Sequence, residues 1–153
     1  MLKVLVVAVL ALVLAGGAWA LFLREDGKDR PILVGALEDG VKWAEPEIAD
    51  QKVEFATQAG FNALNVTTAW VPGQTTPTPE ELTILRSVSA ATAKRDMHFV
   101  ITAYAPRPVF APVSEEEQQN YAEFAATIAR ELPSLQGFAG WNEPNLKNFW
   151  LYQ

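Results

Sequence analysis

Between Ile32 and Trp141, short apolar runs alternate with stretches of helical periodicity, and this alternation narrows the fold more than any other feature of the 153 residues. ILVGALEDG, from Ile32, is an apolar run closed by an acidic turn. EIADQKVEFATQAG (47–60) sets Ile48, Val53, Phe55 and Ala56 on roughly one helical side, with Gly60 as its stop. ALNVTTAW (63–70) is rich in β-branched residues and VPGQTTP is a loop. Thr78-Pro79-Glu80-Glu81 predicts a capping box with proline in the first turn, opening a helix to about Arg95. HFVITAYAP (98–106) is the next strand, closed by proline. Ser114 to Glu117 is a second capping box, for a helix through about Leu132, and LQGFAGW (135–141) comes after it. The order β-α-β-α-β-α-β, with strands that read as apolar on both faces, predicts an α/β fold whose parallel sheet is covered by helices.

Two architectures fit that order, a doubly wound sheet and a (β/α)8 TIM barrel, and both use right-handed crossovers. A dinucleotide-binding sheet needs a glycine-rich turn after its first strand, but GALEDGVKW has no GxGxxG spacing. A barrel needs about 250 residues. Residues 32–153 would supply its N-terminal half, strands one to four, preceded by an N-terminal hydrophobic leader. Half a barrel exposes two sheet edges and an uncovered inner face. These 153 residues alone are therefore expected to be inactive and poorly soluble, as from a truncated gene.

The leader is Val4 to Leu23, twenty residues without a charge behind the basic start MLK. Ala18-Trp19-Ala20 offers a small-x-small cleavage site, so residues 1–23 read as a signal peptide. The run is also long enough for a signal-anchor helix across a bilayer. Lys3 on the short side predicts export of the downstream chain, either secreted or membrane-anchored with the domain outside the cytoplasm. Residues 24–31 are charged and read as a linker. The chain has no cysteine, which excludes disulfides, thiol catalysis and Cys-ligated zinc. Beyond residue 30 it carries eight basic and fifteen acidic side chains, a net charge of −7. With no basic patch, nucleic acid is not the expected partner, and the membrane is met only through the leader.

In a parallel barrel the working face lies at the C-terminal ends of the strands. Glu38, Asp39 and Trp43 come after the first expected strand; Trp70 ends the second, and Tyr104 and Arg107 the third. Trp141, Asn142, Glu143 and then Trp150 come after the fourth. Every tryptophan outside the leader thus lies at or after a strand end, and none lies on a helix. Aromatic faces suit the apolar C–H faces of sugar rings, though a tryptophan there can equally cap a barrel core. Pro144 constrains the chain after Glu143, Asn142 offers both a donor and an acceptor, and Trp141 would exclude water and raise the carboxyl pKa.

GWNEPN at the end of strand four, in a β/α chain, resembles the clan A glycoside hydrolases, retaining (β/α)8-barrel enzymes that include families 5 and 39. NEPNLKNFWLYQ, VGALEDGVKWA and TAWVPGQTTPTPEEL look especially like the actinobacterial cellulase-type branch of that clan. The resemblance covers essentially all of residues 31–153. It implies hydrolysis of a β-linked poly- or oligosaccharide with retention and without a cofactor. Glu143 matches the general acid/base, and Asn142 the residue that hydrogen-bonds the sugar 2-hydroxyl. Trp141, Trp70, Tyr104, Trp43 and Trp150 are the aromatic residues expected to line the substrate. The clan's nucleophile comes from strand seven, beyond the four strands expected here, and Glu38, Asp39 and Glu45 are on the wrong strand to replace it. Asn65 stands where family 5 usually has an arginine, which leaves a carbohydrate-binding pseudoenzyme as the alternative.

The other candidates read as structural. His98, the one histidine, begins strand three at the opposite end from the working face. Asn65-Val66-Thr67 is formally a glycosylation sequon but falls inside a strand. Glu115 to Glu117 favour a helix N-terminus through the dipole. No metal-ligand spacing is present.

Overall fold

The computed structural model describes residues 32–151. The leader and linker expected over 1–31 lie outside the described residues. The elements are β1 (Gly35–Leu37), α1 (Pro46–Gln58), β2 (Ala63–Ala69), α2 (Pro79–Ala93), β3 (His98–Tyr104), α3 (Glu115–Glu131) and β4 (Leu135–Ala139). Single 3-10 turns, Asp39–Val41 and Pro108–Phe110, come after β1 and β3. All strand pairs are parallel and the sheet order is β1-β2-β3-β4. The order runs in sequence with no reversal among these strands, unlike the switch point of a doubly wound sheet. A four-stranded parallel sheet of this order is compatible with half of a barrel.

Local chemistry sets the helix ends. Ser114 and Glu117 form a complete capping box at α3, each side chain meeting the other's backbone N–H. Such a cap stabilises by about 1 kcal/mol. At α2 only half of the expected box forms. Thr78 accepts from Glu81 N, but the Glu81 carboxylate is drawn away to the Thr68 hydroxyl, 2.9 Å, and to Lys42, 3.4 Å. Past the end of α1, Gly60 takes φ +90°, a conformation natural to glycine, and its N–H returns to Thr57 O.

Burial alternates along the strands. Leu64, Val66, Phe99 and Ile101 are buried on one face, where they form a single core with Val53 of α1, Leu85 and Val88 of α2, and Phe124 and Ile128 of α3. Each such side chain contributes roughly 1.5–3 kcal/mol when fully buried. The other face carries Leu37, Asn65, Thr67 and Val100, partly or largely exposed. The expectation of strands apolar on both faces is corrected accordingly, since only the helix-covered face is an apolar core. Phe55 is also corrected: it is 56% exposed, while Ala49 and Val53 are buried. Residues two apart on a helix diverge by about 200°, so Val53 and Phe55 cannot share a face. Among the described residues no helix is long and apolar enough to cross a membrane.

The helices are tied to one another by charge. Arg95, just past α2, donates to Asp50 at 2.5 Å and to Glu54 at 2.8 Å, both on α1, and Lys94 adds a bond to Asp50 at 2.9 Å. Arg86 pairs with Glu131 between α2 and α3. Hydrogen bonds from Arg95 first, then Lys94, hold the Asp50 carboxyl well below its ordinary value of 3.8. A depressed acid stabilises the fold above its unfolded value, and that support is lost as pH falls toward the folded value. Solvent screening keeps the effect modest. Asp50→Asn should therefore lower Tm at neutral pH, and the gap to wild type should close between about pH 5 and about pH 2 in thermal melts. A gap independent of pH would contradict this origin.

Candidate functional site

The chain leaves β4 at Gly140 and folds back on itself through Leu151. Leu146 N–H donates to Glu143 O at 2.9 Å, closing a turn whose second residue is Pro144. Trp150 N–H donates to Leu146 O at 2.9 Å, and the Trp141 indole nitrogen to Phe149 O at 2.9 Å. Leu151 N–H reaches Pro108 O at 3.2 Å, fastening this loop to the one after β3. Glu143 is exposed at the start of the turn, with φ +40°. A residue with a side chain held in that region costs about 1–3 kcal/mol, so the surrounding contacts must impose it.

Beneath the loop stands an aromatic column. Trp70 and Tyr121 meet edge to face at 5.4 Å, Tyr121 and Trp141 at 5.6 Å, and Trp141 and Trp150 at 5.2 Å between ring centroids. Contacts of this geometry contribute about 0.5–1.5 kcal/mol each beyond their buried area. Tyr121 belongs to α3, and its hydroxyl lies 2.8 Å from Ala103 O and 2.6 Å from Gly140 O. The last rung between β3 and β4 is Thr102 with Ala139, so the tyrosine joins the two strands one step beyond their ladder. Tyr104 is drawn to the same loop through an edge contact with Phe149, 5.9 Å.

Of the expected site residues, Trp141, Asn142, Glu143 and Trp150 thus lie on one loop, with Tyr104 against it. Trp70 does not join them at the surface. It is fully buried, its indole nitrogen donating to Gln74 O at 2.8 Å, so the expectation that it lines a substrate is corrected. The alternation along β2 that buries Leu64, Val66 and Thr68 carries on to residue 70 and turns it under the helices. Trp43 is 43% exposed on the β1 exit, with its indole nitrogen on Gly40 O at 3.0 Å. In the sheet order that exit is three strand spacings from β4, about 14 Å, so Trp43 and Trp141 belong to different parts of the face.

The acidic residues after β1 serve the backbone. Asp39 accepts from Thr67 N at 2.7 Å and from the Thr67 hydroxyl at 2.5 Å, while Lys42 donates to Thr67 O at 2.9 Å. Glu38 accepts from Gly40 N at 2.6 Å. Asn65 and Thr102 exchange side-chain hydrogen bonds of 2.9 and 3.1 Å across β2 and β3. His98 begins β3, with its backbone N–H on Asn62 O. Among the described residues no cluster of three or more potential metal ligands occurs.

Tyr121 is not among the residues expected from the sequence; it lies on the helical face of the core residues Phe124 and Ile128. Its position did carry a signal. A helix crossing back over a parallel sheet begins near the strands' C-terminal ends, so a polar-tipped aromatic in its first turns reaches the working face. Comparison of the chain with known family models, curated proteins and solved structures finds no match.

Burial pushes the Tyr121 hydroxyl well above its ordinary value of 10.0 and keeps it protonated, hence a donor. An acid whose folded value is raised loses its stabilising contribution as pH climbs past the unfolded value. Tyr121→Phe, which removes one hydrogen bond, should cost about 0.5–1.5 kcal/mol at neutral pH. Its deficit in Tm should shrink between about pH 9.5 and about pH 11, where the wild type alone loses this contribution. An unchanged deficit would mean that the phenol titrates normally.

Proposed function

We propose that this chain carries the acid/base half of a retaining glycoside hydrolase, with the strands of a (β/α)8 barrel as its scaffold and Glu143 as the general acid/base. The observation that carries the reading is the setting of Glu143. It stands exposed just past the C-terminal end of a parallel strand, on a positive-φ backbone, between Asn142 and Pro144 and beside an aromatic wall of Trp141 and Trp150. That is the end of a β/α sheet at which ligands bind. The resemblance of GWNEPN to the clan A motif points the same way.

In the proposed reaction Glu143 gives its proton to the glycosidic oxygen as the bond to the anomeric carbon breaks. A second carboxylate, about 5–5.5 Å away, forms the glycosyl-enzyme. Glu143, now ionised, then takes a proton from the water that displaces it. The resemblance expects that second carboxylate from strand seven, outside the described residues. Asp39, turned onto Thr67, and Glu38, turned onto Gly40, are committed to their own loop. Asn142 would hold the 2-hydroxyl, and the exposed parts of Trp141, Tyr104 and Trp150 would pack on the sugar. Export through the leader, by secretion or anchoring, would suit an extracellular β-linked polysaccharide.

The alternative, a carbohydrate-binding pseudoenzyme, is favoured by one observation. Asn65 and Thr102 satisfy each other at the position where family 5 usually orients its nucleophile with arginine. Glu143→Gln in the full-length protein separates the two readings. On the enzyme reading, hydrolysis of an unactivated β-glucan falls by about 10²-fold or more while binding of the same polymer persists. A rate unchanged by the substitution would remove Glu143 from the chemistry.

A further inference from the structure

Glu143 stands exposed on a positive-φ backbone, and part of what fastens its loop lies on another element. Three residues before it, the Gly140 carbonyl meets the Tyr121 hydroxyl at 2.6 Å; two residues before it, the Trp141 ring lies edge-on to the Tyr121 ring at 5.6 Å. After it, the Glu143–Leu146 turn and the bond from the Trp141 indole to Phe149 O close the loop. Leu151 N–H ties the far end of the loop to Pro108 O, and Tyr121 ties its near end, just past β4, to the sheet and the core. Its hydroxyl also meets Ala103 O of β3 at 2.8 Å, and its ring leans on the buried Trp70. Nothing lies within 4 Å of where a Cβ on Gly140 would sit, so close packing around Gly140 does not set the direction of the exit. The contact recorded at Gly140 itself is the Tyr121 hydroxyl, placed between two carbonyls.

We propose that Tyr121 is the positioning residue for Glu143. By fastening Gly140 to the end of β3 and bracing Trp141 against the core, it sets the direction in which the carboxyl meets the glycosidic oxygen. This rests on the acid/base assignment of Glu143 and adds to it a residue on a helix that need not touch the substrate. A phenol is protonated throughout the range where a glycosidase would work, and burial moves its titration further above it, so the tie persists there. A displacement of about 1 Å in a reacting group costs about 10²-fold in rate. Removing the hydroxyl should therefore be felt as lost proton donation and not as lost binding.

The test is kinetic and uses the full-length protein. The value of kcat/KM reports the steps through glycosyl-enzyme formation, in which a poor leaving group needs the proton and a very good one does not. Tyr121→Phe, which keeps the ring, should lower kcat/KM for an unactivated β-linked oligosaccharide by about tenfold to 10²-fold. It should leave the value for the matching 2,4-dinitrophenyl β-glycoside within about twofold of wild type. Para-aminophenylalanine at position 121, which restores an N–H donor, should recover most of the loss. Glu143→Gln, run beside it, tests the underlying assignment with the same pair of substrates. If Glu143→Gln shows the selective loss but Tyr121→Phe loses both substrates equally or neither, the positioning role is overturned and the acid/base assignment stands. If Glu143→Gln shows no selective loss, or the wild type hydrolyses neither substrate, Tyr121 has no acid to position and both readings fall. A Tyr121→Phe protein without a cooperative melt would make the hydroxyl a requirement of the fold, which also overturns the proposal.

Discussion

Burial of one face of a parallel sheet under three helices is the constraint on which the rest of this structure depends. Leu64, Val66, Phe99 and Ile101 can leave water only against Val53, Leu85, Val88, Phe124 and Ile128, and the helices that carry those residues must cross back over the sheet. Each crossing brings the next strand in parallel, and all four strands end at the same side. The loops after the strands, freed from the core, are then the backbone available for chemistry on that side. Asp39, Trp43, Tyr104 and Glu143 are found there because the crossovers put those loops there.

A loop at a strand end has to be held in place, and here aromatic side chains hold it. Trp70 is buried under the helices, Tyr121 leans on it, Trp141 leans on Tyr121, and Trp150 covers Trp141. The column carries the rigidity of the core outward, ring by ring, to a loop that has few backbone bonds to the sheet. Trp70, one of the four tryptophans expected to hold sugar, instead anchors the foot of the column. Polar ties at the other edge do similar work by other means: Asp39 and Lys42 grip the two sides of Thr67, and Glu81 gives up half of a capping box to join Thr68 and Lys42.

Much of this was legible in the sequence. The order of elements could be read from periodicity, the ends of α2 and α3 from Thr78 and Ser114, and the stop after α1 from Gly60, because each of these is a local preference expressed by neighbouring residues. The loop bearing Glu143 could be placed because proline and asparagine interrupt the chain just after a strand. Burial was harder to read. Phe55 was grouped with Ile48, Val53 and Ala56 on one helical side, but the buried stripe runs through Ala49 and Val53 and leaves Phe55 outside it. Trp70 was expected outward because it ends a strand, but alternation carried it inward by one more residue. For Tyr121 the sequence offered only its place early in a crossover helix, since its partners Ala103, Gly140, Trp70 and Trp141 meet it only through the tertiary fold.

On the proposed function, Glu143 exchanges a proton with the reacting glycoside in a double-displacement reaction. The most direct test is the product formed by full-length Glu143→Ala from an activated aryl β-glycoside in the presence of azide. With the carboxyl gone, departure of a good leaving group still forms the glycosyl-enzyme, but no base activates water to resolve it. Azide needs no base, and its attack on the anomeric carbon would release the enzyme carboxylate. Turnover should be restored by azide, with a β-glycosyl azide as the product. Turnover insensitive to azide, or a product of inverted configuration, would contradict the acid/base role of Glu143.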